Sequence, residues 1–268
     1  MPFSLQEVAA VFNELEGNKA PGHDGFSRDI VVKINKLLPR AVCSIFNGCL
    51  RNGIFPRIWK SSTLVLLVKP GKEGVQDASR YRPICLLPLF GKALEKLLIN
   101  RVMHHIETKG LFSDRQFGFR PRRGTVDALL AVKGCVESQL RLHKHVLMIS
   151  LDVRGAFDSA WWPLILKRLR DYGCPRNMYR LVRHYFSDRQ VLLADGLQSC
   201  LKHQEKGCPQ GSCCSPGFWN VMYDSVLKVR FPDSVEPFAY ADDLLLVVSE
   251  ADERQLQITV NLTLFLPE

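Results

Sequence analysis

The strongest constraint on this chain is a pair of apolar runs in its second half that each deliver carboxylates to a strand end. Met148-Ile149-Ser150-Leu151 leads into Asp152, while Phe238 to Tyr240 and Leu244 to Val248 lie on either side of Asp242-Asp243. By composition Val146 to Val153 is a buried strand, and the later pair of runs is a hairpin with an acidic tip. A carboxylate at the end of a buried strand is costly unless a cation compensates. If the two strands are neighbours in one sheet, three carboxylates converge at one edge. Such hard oxygen donors suit Mg2+, which keeps waters and substrate phosphates in its remaining positions. An Asp-Asp pair is equally at home in an ordinary turn, so the pattern needs support from the rest of the chain.

Composition narrows the classes. With 46% hydrophobic and 24% charged residues over 268 positions, the chain can bury one or two sizeable cores, and disordered, collagen-like and low-complexity classes are excluded. Its longest strictly apolar stretches fall far below the roughly 20 residues a bilayer needs. No signal-peptide core is present at the N-terminus, so a soluble intracellular protein without a membrane partner is expected. The net charge of +9 raises the local concentration of polyanions such as nucleic acid, although a basic surface kept for solubility gives the same number.

The nine cysteines include no C-x-x-C pair, which suits reduced, buried thiols rather than a disulfide framework. Cys200, His203, Cys208 and Cys213 form C-x2-H-x4-C-x4-C, close to a zinc knuckle, but their flanks read as a strand and a helix rather than a metal-organised loop.

Helical periodicity dominates the first half. Ser4 and Glu7 form a capping-box pattern ahead of Leu5, Val8, Phe12 and Leu15 at helical spacing. Ile30, Ile34, Leu37, Val42, Phe46 and Leu50 continue the period with an interruption at Pro39, predicting two helical pieces. Thr63 to Val68 reads as a strand entering the basic turn Lys69-Pro70-Gly71-Lys72. A long helix through Leu94, Leu97, Leu98, Val102 and Ile106 ends near Gly110. Arg115, Arg120, Arg122 and Arg123 then cluster with Phe117 and Phe119 in a loop, followed by a helix from about Thr125 to Leu140. The loop suits a groove that tracks phosphates while an aromatic stacks on a base, or a packed loop with solvated arginines. Helical segments flank Pro175, Gln190 to Ala194 and Ser199 to Glu205 form a strand pair, and Ser215 to Leu227 is helical.

Six blocks in order resemble the reverse transcriptases of non-LTR (LINE-type) retrotransposons. They are Lys19-Ala20-Pro21-Gly22-His23-Asp24-Gly25, Tyr81-Arg82-Pro83-Ile84, Gln116-Phe117-Gly118-Phe119-Arg120, Leu151-Asp152-Val153-Arg154-Gly155-Ala156-Phe157-Asp158, Gly207-Cys208-Pro209-Gln210-Gly211-Ser212, and Tyr240-Ala241-Asp242-Asp243. The last resembles the Y-x-D-D box of that family and the fourth its first aspartate motif. The resemblance implies an α/β (α+β) right-hand polymerase fold with helical fingers and a palm built on an antiparallel sheet. Residues 1–145 would form the fingers and their connection to the palm, residues 146–268 a partial palm, and the thumb would be absent.

The implied activity is RNA-directed DNA polymerisation, in which two Mg2+ ions, or Mn2+ in their place, serve transfer of a deoxynucleotide to a primer 3'-hydroxyl. Asp152 and Asp242 would bind both ions, with Asp243 completing the acidic cluster and the Val153 carbonyl as a further ligand. Lys69 and Arg82 would clamp the triphosphate, while Gln210 and Gly211 would lie along the forming base pair. Phe157 holds the position where an aromatic would collide with a 2'-hydroxyl and so select deoxynucleotides. RNA-dependent RNA polymerases typically place Asp there and Gly before the paired aspartates, where this chain has Phe157 and Ala241.

Template contacts would come from Arg115, Phe119, Arg120, Arg122 and Arg123. Partners would be an RNA template, a DNA primer or target, dNTPs and the remainder of an element polyprotein with its endonuclease, and an active enzyme would work in the nucleus at the integration site. The chain ends 25 residues after Asp243, and Leu262 to Glu268 does not resemble the expected continuation. A fragment of a larger protein is therefore expected, the alternative to an active domain being a truncated remnant that only binds nucleic acid.

Overall fold

The structure is a computed structural model that describes residues 1–268 except 18, 72–73, 75–76, 78–79, 154, 196–197 and 266–268, and except the side chains of 194, 195 and 198. Lys72, Arg154, Leu266, Pro267 and Glu268, which the sequence reading invoked, lie outside the described residues. The fold is mixed α/β, and the chain divides into two compact units, each discontinuous in sequence. One comprises Met1–Lys109 and Phe157–Phe218, the other Gly110–Ala156 and Trp219–Glu268. The functional boundary expected at 145 is a different kind of division from this one.

In the first unit, α1 (Leu5–Glu14) begins at the expected capping box, Ser4 and Glu7 satisfying each other's backbone N–H groups. α2 (Arg28–Leu37) and α3 (Pro39–Asn52) are the two pieces separated at Pro39, which occupies the first turn of α3, where a missing N–H costs nothing. α4 (Leu89–Thr108) buries Leu94, Leu97, Leu98, Val102 and Ile106 along one stripe. Aromatic rings fasten these helices together. Phe12 stacks on Phe46 at 6.2 Å and meets Phe90 edge-on at 5.8 Å, and Trp59 stacks on Phe90 at 6.2 Å.

The sheet of this unit has the order β2-β1-β5-β6, formed by β1 (Ser61–Val68), β2 (Tyr81–Leu86), β5 (Arg189–Asp195) and β6 (Gln198–Gln204). β1 is antiparallel to β2 and parallel to β5, and β5 is antiparallel to β6. β2 was not anticipated, because Pro83 interrupts a strand pattern; the proline sits opposite Leu66 in a strand at the edge of this sheet, where a ladder donor can be missing. The single-turn α6 (Ala156–Ser159) precedes α7 (Trp162–Asp171), and α7 and α8 (Arg176–Phe186) flank Pro175 as expected.

The second unit is built on the sheet β3-β7-β8-β4, from β3 (Gln116–Phe117), β4 (His145–Asp152), β7 (Val235–Tyr240) and β8 (Asp243–Glu250). β4, β8 and β7 are antiparallel neighbours, and the two-residue β3 adds to β7 in parallel, so the expected antiparallel sheet gains a parallel edge. α5 (Thr125–Arg141) packs Ala128, Val132 and Val136 against Phe117, Phe238 and Val247, and α10 (Glu253–Leu264) packs on β8 and β4. β3 and α10 are elements beyond those expected from the sequence. β4, expected to be buried, is instead an edge strand, and Met148 is 56% exposed. Its apolar composition reflects strand propensity and partial cover by α5 and α10, not enclosure on both faces. The helix expected over Ser215 to Leu227 is α9 (Ser215–Tyr223) followed by a short 3-10 turn, Val226–Lys228.

Phe12 is fully buried and touches two aromatic partners, so Phe12→Ala is expected to cost about 3–5 kcal/mol through lost burial and the cavity left behind. Urea denaturation of both proteins measures the difference.

Candidate catalytic and nucleotide-binding sites

Strand register brings the three carboxylates of the second unit together. Asp152, the last residue of β4, pairs directly with Asp243, the first residue of β8. Asp243 also pairs with Tyr240, leaving Ala241 and Asp242 as a two-residue hairpin tip beside that pair. Asp152 and Asp243 are exposed and Asp242 is half-buried, so solvent moderates the cost that the expectation of burial assigned to them. Their fields nevertheless converge on Tyr223: burial pushes its phenol up to about 12, and Asp242, Asp243 and Asp152 all reinforce that shift.

None of the three forms an ion pair among the described residues, which contain no ready-made set of three metal-binding side chains. An all-oxygen donor set of carboxylates on two adjacent strands fits a hard divalent cation that completes its shell with water and substrate phosphate.

Backbone and side-chain contacts determine the shape of the tip. Ala241 has φ +54°, uncommon for a residue with a Cβ, and its N–H donates to the carbonyl of Phe117 at 3.1 Å. Gly118 lies so close that an added Cβ would come within 2.9 Å of the Ala241 nitrogen. Trp219 Nε1 donates to the Ala241 carbonyl at 2.9 Å, and the Tyr223 hydroxyl donates to the Asp242 carbonyl at 3.3 Å. Asn220 Nδ2 donates to the Gly118 carbonyl at 3.0 Å and Gln116 Nε2 to the Asn220 carbonyl at 3.0 Å. Thr125 and Tyr240 share a hydroxyl hydrogen bond of 2.9 Å. Sequence reasoning found none of Trp219, Asn220, Tyr223 or Thr125, since their partners are remote along the chain and they carry no local chemical signal.

The nucleotide-binding candidates other than Ala241 lie in the first unit. Arg82 sits opposite Leu67 in the β1–β2 ribbon, and Lys69 follows Leu67 by two residues, so the two cations share one face. Half-buried Phe157 accepts the Cys208 N–H on its carbonyl at 2.6 Å, which ties it to the loop carrying Gln210 and Gly211. The Gln210 carbonyl accepts from the Cys85 N–H at 2.8 Å, and Gly211, at φ +113°, lies where a Cβ would come within 2.7 Å of the Cys85 carbonyl oxygen. Only glycine lets the loop approach β2 so closely. A cavity of about 830 Å³ opens beside this loop, lined by Gln210, Pro83, Leu64, Val191, Trp161 and Lys202 among others.

Beneath the loop is a buried polar network that sequence reading did not find. Glu95 on α4 is 0% exposed and accepts from Ser212 Oγ at 2.7 Å and the Cys213 N–H at 2.9 Å. Ser212 Oγ also meets the Tyr185 hydroxyl at 2.9 Å, and the buried Arg189 guanidinium lies 4.3 Å over the Tyr185 ring. Burial raises the Glu95 pKa, opposed by Arg189 and the two hydrogen bonds.

Most of the arginines in the 115–123 loop brace the protein. Arg115 pairs with Glu236 at 2.6 Å and covers the Phe238 ring, Arg120 donates to the carbonyls of Ser113 and Gln116, and Arg123 holds Asp114 at 2.6 Å. Arg122 and Phe119 are exposed. The zinc alternative finds no support among the described residues: Cys200 lies exposed on β6, Cys208 is buried and Cys213 half-buried, and no three metal-binding side chains among the described residues converge.

Comparison with known proteins points to the same family as the sequence motifs do. A family profile described as reverse transcriptase (RNA-dependent DNA polymerase) matches residues 69–264. The chain is 36% identical over 242 residues to the 115 kDa protein of type-1 retrotransposable element R1DM of Drosophila melanogaster, covering 90% of this chain and 23% of that protein. It is 31% identical over 257 residues to the RNA-directed DNA polymerase from mobile element jockey of Drosophila funebris, covering 94% of this chain and 27% of that protein. The Pol polyprotein of retrotransposable element R1 from Bradysia coprophila is 29% identical over 253 residues, covering 94% of this chain and 25% of that protein. The chain thus spans about a quarter of the length of these relatives.

The Glu95 network predicts a pH dependence. A folded pKa above the ordinary 4.5 means that the folded chain holds this proton where the unfolded chain releases it. The resulting stabilisation is complete below 4.5 and is lost as pH rises through the folded pKa. Wild-type stability should therefore fall relative to Glu95→Gln between acidic and neutral pH, as urea unfolding of the two proteins across that range will measure. A difference independent of pH would mean that Glu95 titrates like an exposed carboxylate.

Proposed function

Because the chain belongs to the reverse transcriptase (RNA-dependent DNA polymerase) family, we propose that it is the polymerising region of a non-LTR retrotransposon protein and extends a primer 3'-hydroxyl with deoxynucleotides on an RNA template. The observation that carries this reading is the direct register of Asp152 with Asp243, with Asp242 at the adjoining tip. Residues 1–145 would act as fingers and their connection, and residues 146–268 as palm.

The three carboxylates and the Val153 carbonyl would hold two Mg2+ or Mn2+ ions, which when bound activate the attacking hydroxyl and neutralise charge on the leaving pyrophosphate. Lys69 and Arg82, on one face of their ribbon, would hold the triphosphate, Arg82 by its bidentate fork and Lys69 as a point charge. Gln210 and Gly211 would support the nascent base pair from a loop fastened to β2. The Phe157 ring would exclude a 2'-hydroxyl, and its backbone tie to Cys208 would make that wall stiff. Exposed Phe119 and Arg122 are the best placed of the loop residues to reach a template, Phe119 by stacking and Arg122 through phosphate; Arg115, Arg120 and Arg123 would act mainly by shaping the loop.

Copying at chromosomal DNA would place the active protein in the nucleus with the endonuclease of the element. No helix among the described residues is long and apolar enough to cross a membrane.

Primer extension on an RNA template with Mg2+ and dNTPs tests the proposal. Asp242→Ala should reduce extension by about three orders of magnitude or more, equivalent to several kcal/mol of transition-state stabilisation. Phe157→Ala should raise ribonucleotide incorporation relative to deoxynucleotide by roughly 10- to 100-fold, the range a steric pocket can command. Preferential use of ribonucleotides by the wild type would overturn the assignment.

A further inference from the structure

We infer that Trp219 and Tyr223 are positioning residues that hold the Ala241-Asp242 tip in its metal-binding shape from behind. The inference rests on the reading of Asp152, Asp242 and Asp243 as the metal-binding carboxylates. A two-residue hairpin tip with Ala241 at φ +54° is strained for a residue with a Cβ, and persists where surrounding contacts over-determine it. Here both polar backbone groups of Ala241 are engaged, the N–H by the Phe117 carbonyl and the carbonyl by the Trp219 indole. The next carbonyl, that of Asp242, accepts from Tyr223.

The two side chains form one rigid piece. Trp219 and Tyr223 are four residues apart on α9, their rings stack at 5.0 Å and 25°, and they are only 1% and 5% exposed. They offer one N–H and one O–H to successive carbonyls, a spacing that matches adjacent turns of a helix to adjacent peptide units of the tip. Neither touches a carboxylate side chain through these bonds. Their effect is to set the peptide planes from which the Asp242 side chain and the start of β8 project. Asn220, between them, anchors the Gly118 carbonyl, and Gly118 in turn packs against the Ala241 nitrogen. Removing a bond while keeping a ring should therefore leave the fold intact, release the tip and weaken metal binding.

Mn2+ binding to this chain, read as loss of the free-ion electron paramagnetic resonance signal, tests this without relying on polymerase activity. Trp219→Phe and Tyr223→Phe keep the aromatic stack and delete one donor each. Each should weaken Mn2+ binding, toward the roughly tenfold typical when a partner that orients a ligand is lost. Asp242→Ala should abolish binding at the same site. In primer extension both phenylalanine variants should require more Mg2+ for half-maximal rate, with the dNTP KM at saturating Mg2+ little changed.

Thermal unfolding accompanies each titration. Should Trp219→Phe fail to fold, Tyr223→Phe carries the test, since its bond is the longer and its ring is retained. Wild-type Mn2+ affinity in a folded Tyr223→Phe variant, with binding still abolished by Asp242→Ala, would overturn the positioning role and leave the carboxylate assignment standing. Failure of the wild type to bind Mn2+, or binding indifferent to Asp242→Ala, would overturn the carboxylate assignment and this inference with it.

Discussion

The β4–β8 ladder is the constraint on which the candidate chemistry of this protein depends. Side chains alternate along a strand with a period of two, so a slip of one residue would turn Asp152 to the opposite face from Asp243. Eight consecutive paired positions, from His145 opposite Glu250 to Asp152 opposite Asp243, hold the register. On β8, buried Leu246 and Val248 share one face while Val247 packs with Phe117 and Phe238 on the other, so a slip would exchange both sets of side chains and break this fit. Two carboxylates that are 91 residues apart in sequence thereby become direct neighbours.

A pair of like charges at a strand end is electrostatically unfavourable alone, and exposure to solvent makes it tolerable. The tip is different: its strained Ala241 depends on packing and hydrogen bonds from outside the sheet. The protein thus separates two tasks. The ladder sets which carboxylates meet, and the aromatic pair on α9, with Gly118 and Asn220, sets the local path of the backbone between them.

The first unit repeats this division around the Pro209-Gln210-Gly211 loop. A backbone hydrogen bond from Cys85 and the close approach permitted by Gly211 align the loop with β2, while Glu95, Ser212 and Tyr185 support it from below. Burying an acid at the base of the loop carries a desolvation cost that is only partly offset by Arg189 and two donors, and the displaced pKa of Glu95 is the trace of that imbalance. In both units, motif residues are held in part by residues outside the motifs, Trp219, Asn220 and Tyr223 in one and Glu95 and Tyr185 in the other.

Local order was largely legible in the sequence. The capping box at Ser4, the break at Pro39, the stripe of α4 and the acidic hairpin depend on interactions within a few residues, so periodicity and turn chemistry reveal them. β2 was hidden because Pro83 is acceptable only in the edge position that the assembled sheet provides, and β3 because two residues cannot display a period.

The sequence by itself determined the identity and order of the motifs, the family to which they belong and the placement of carboxylates at strand ends. Tertiary structure alone decided that β4 would be an exposed edge, that Arg115, Arg120 and Arg123 would be engaged within the protein, and that Trp219 and Tyr223 would reach the acidic tip. Periodicity is a property of neighbouring residues. Partnerships such as Glu95 with Ser212, 117 residues apart, exist only once packing has chosen which faces meet.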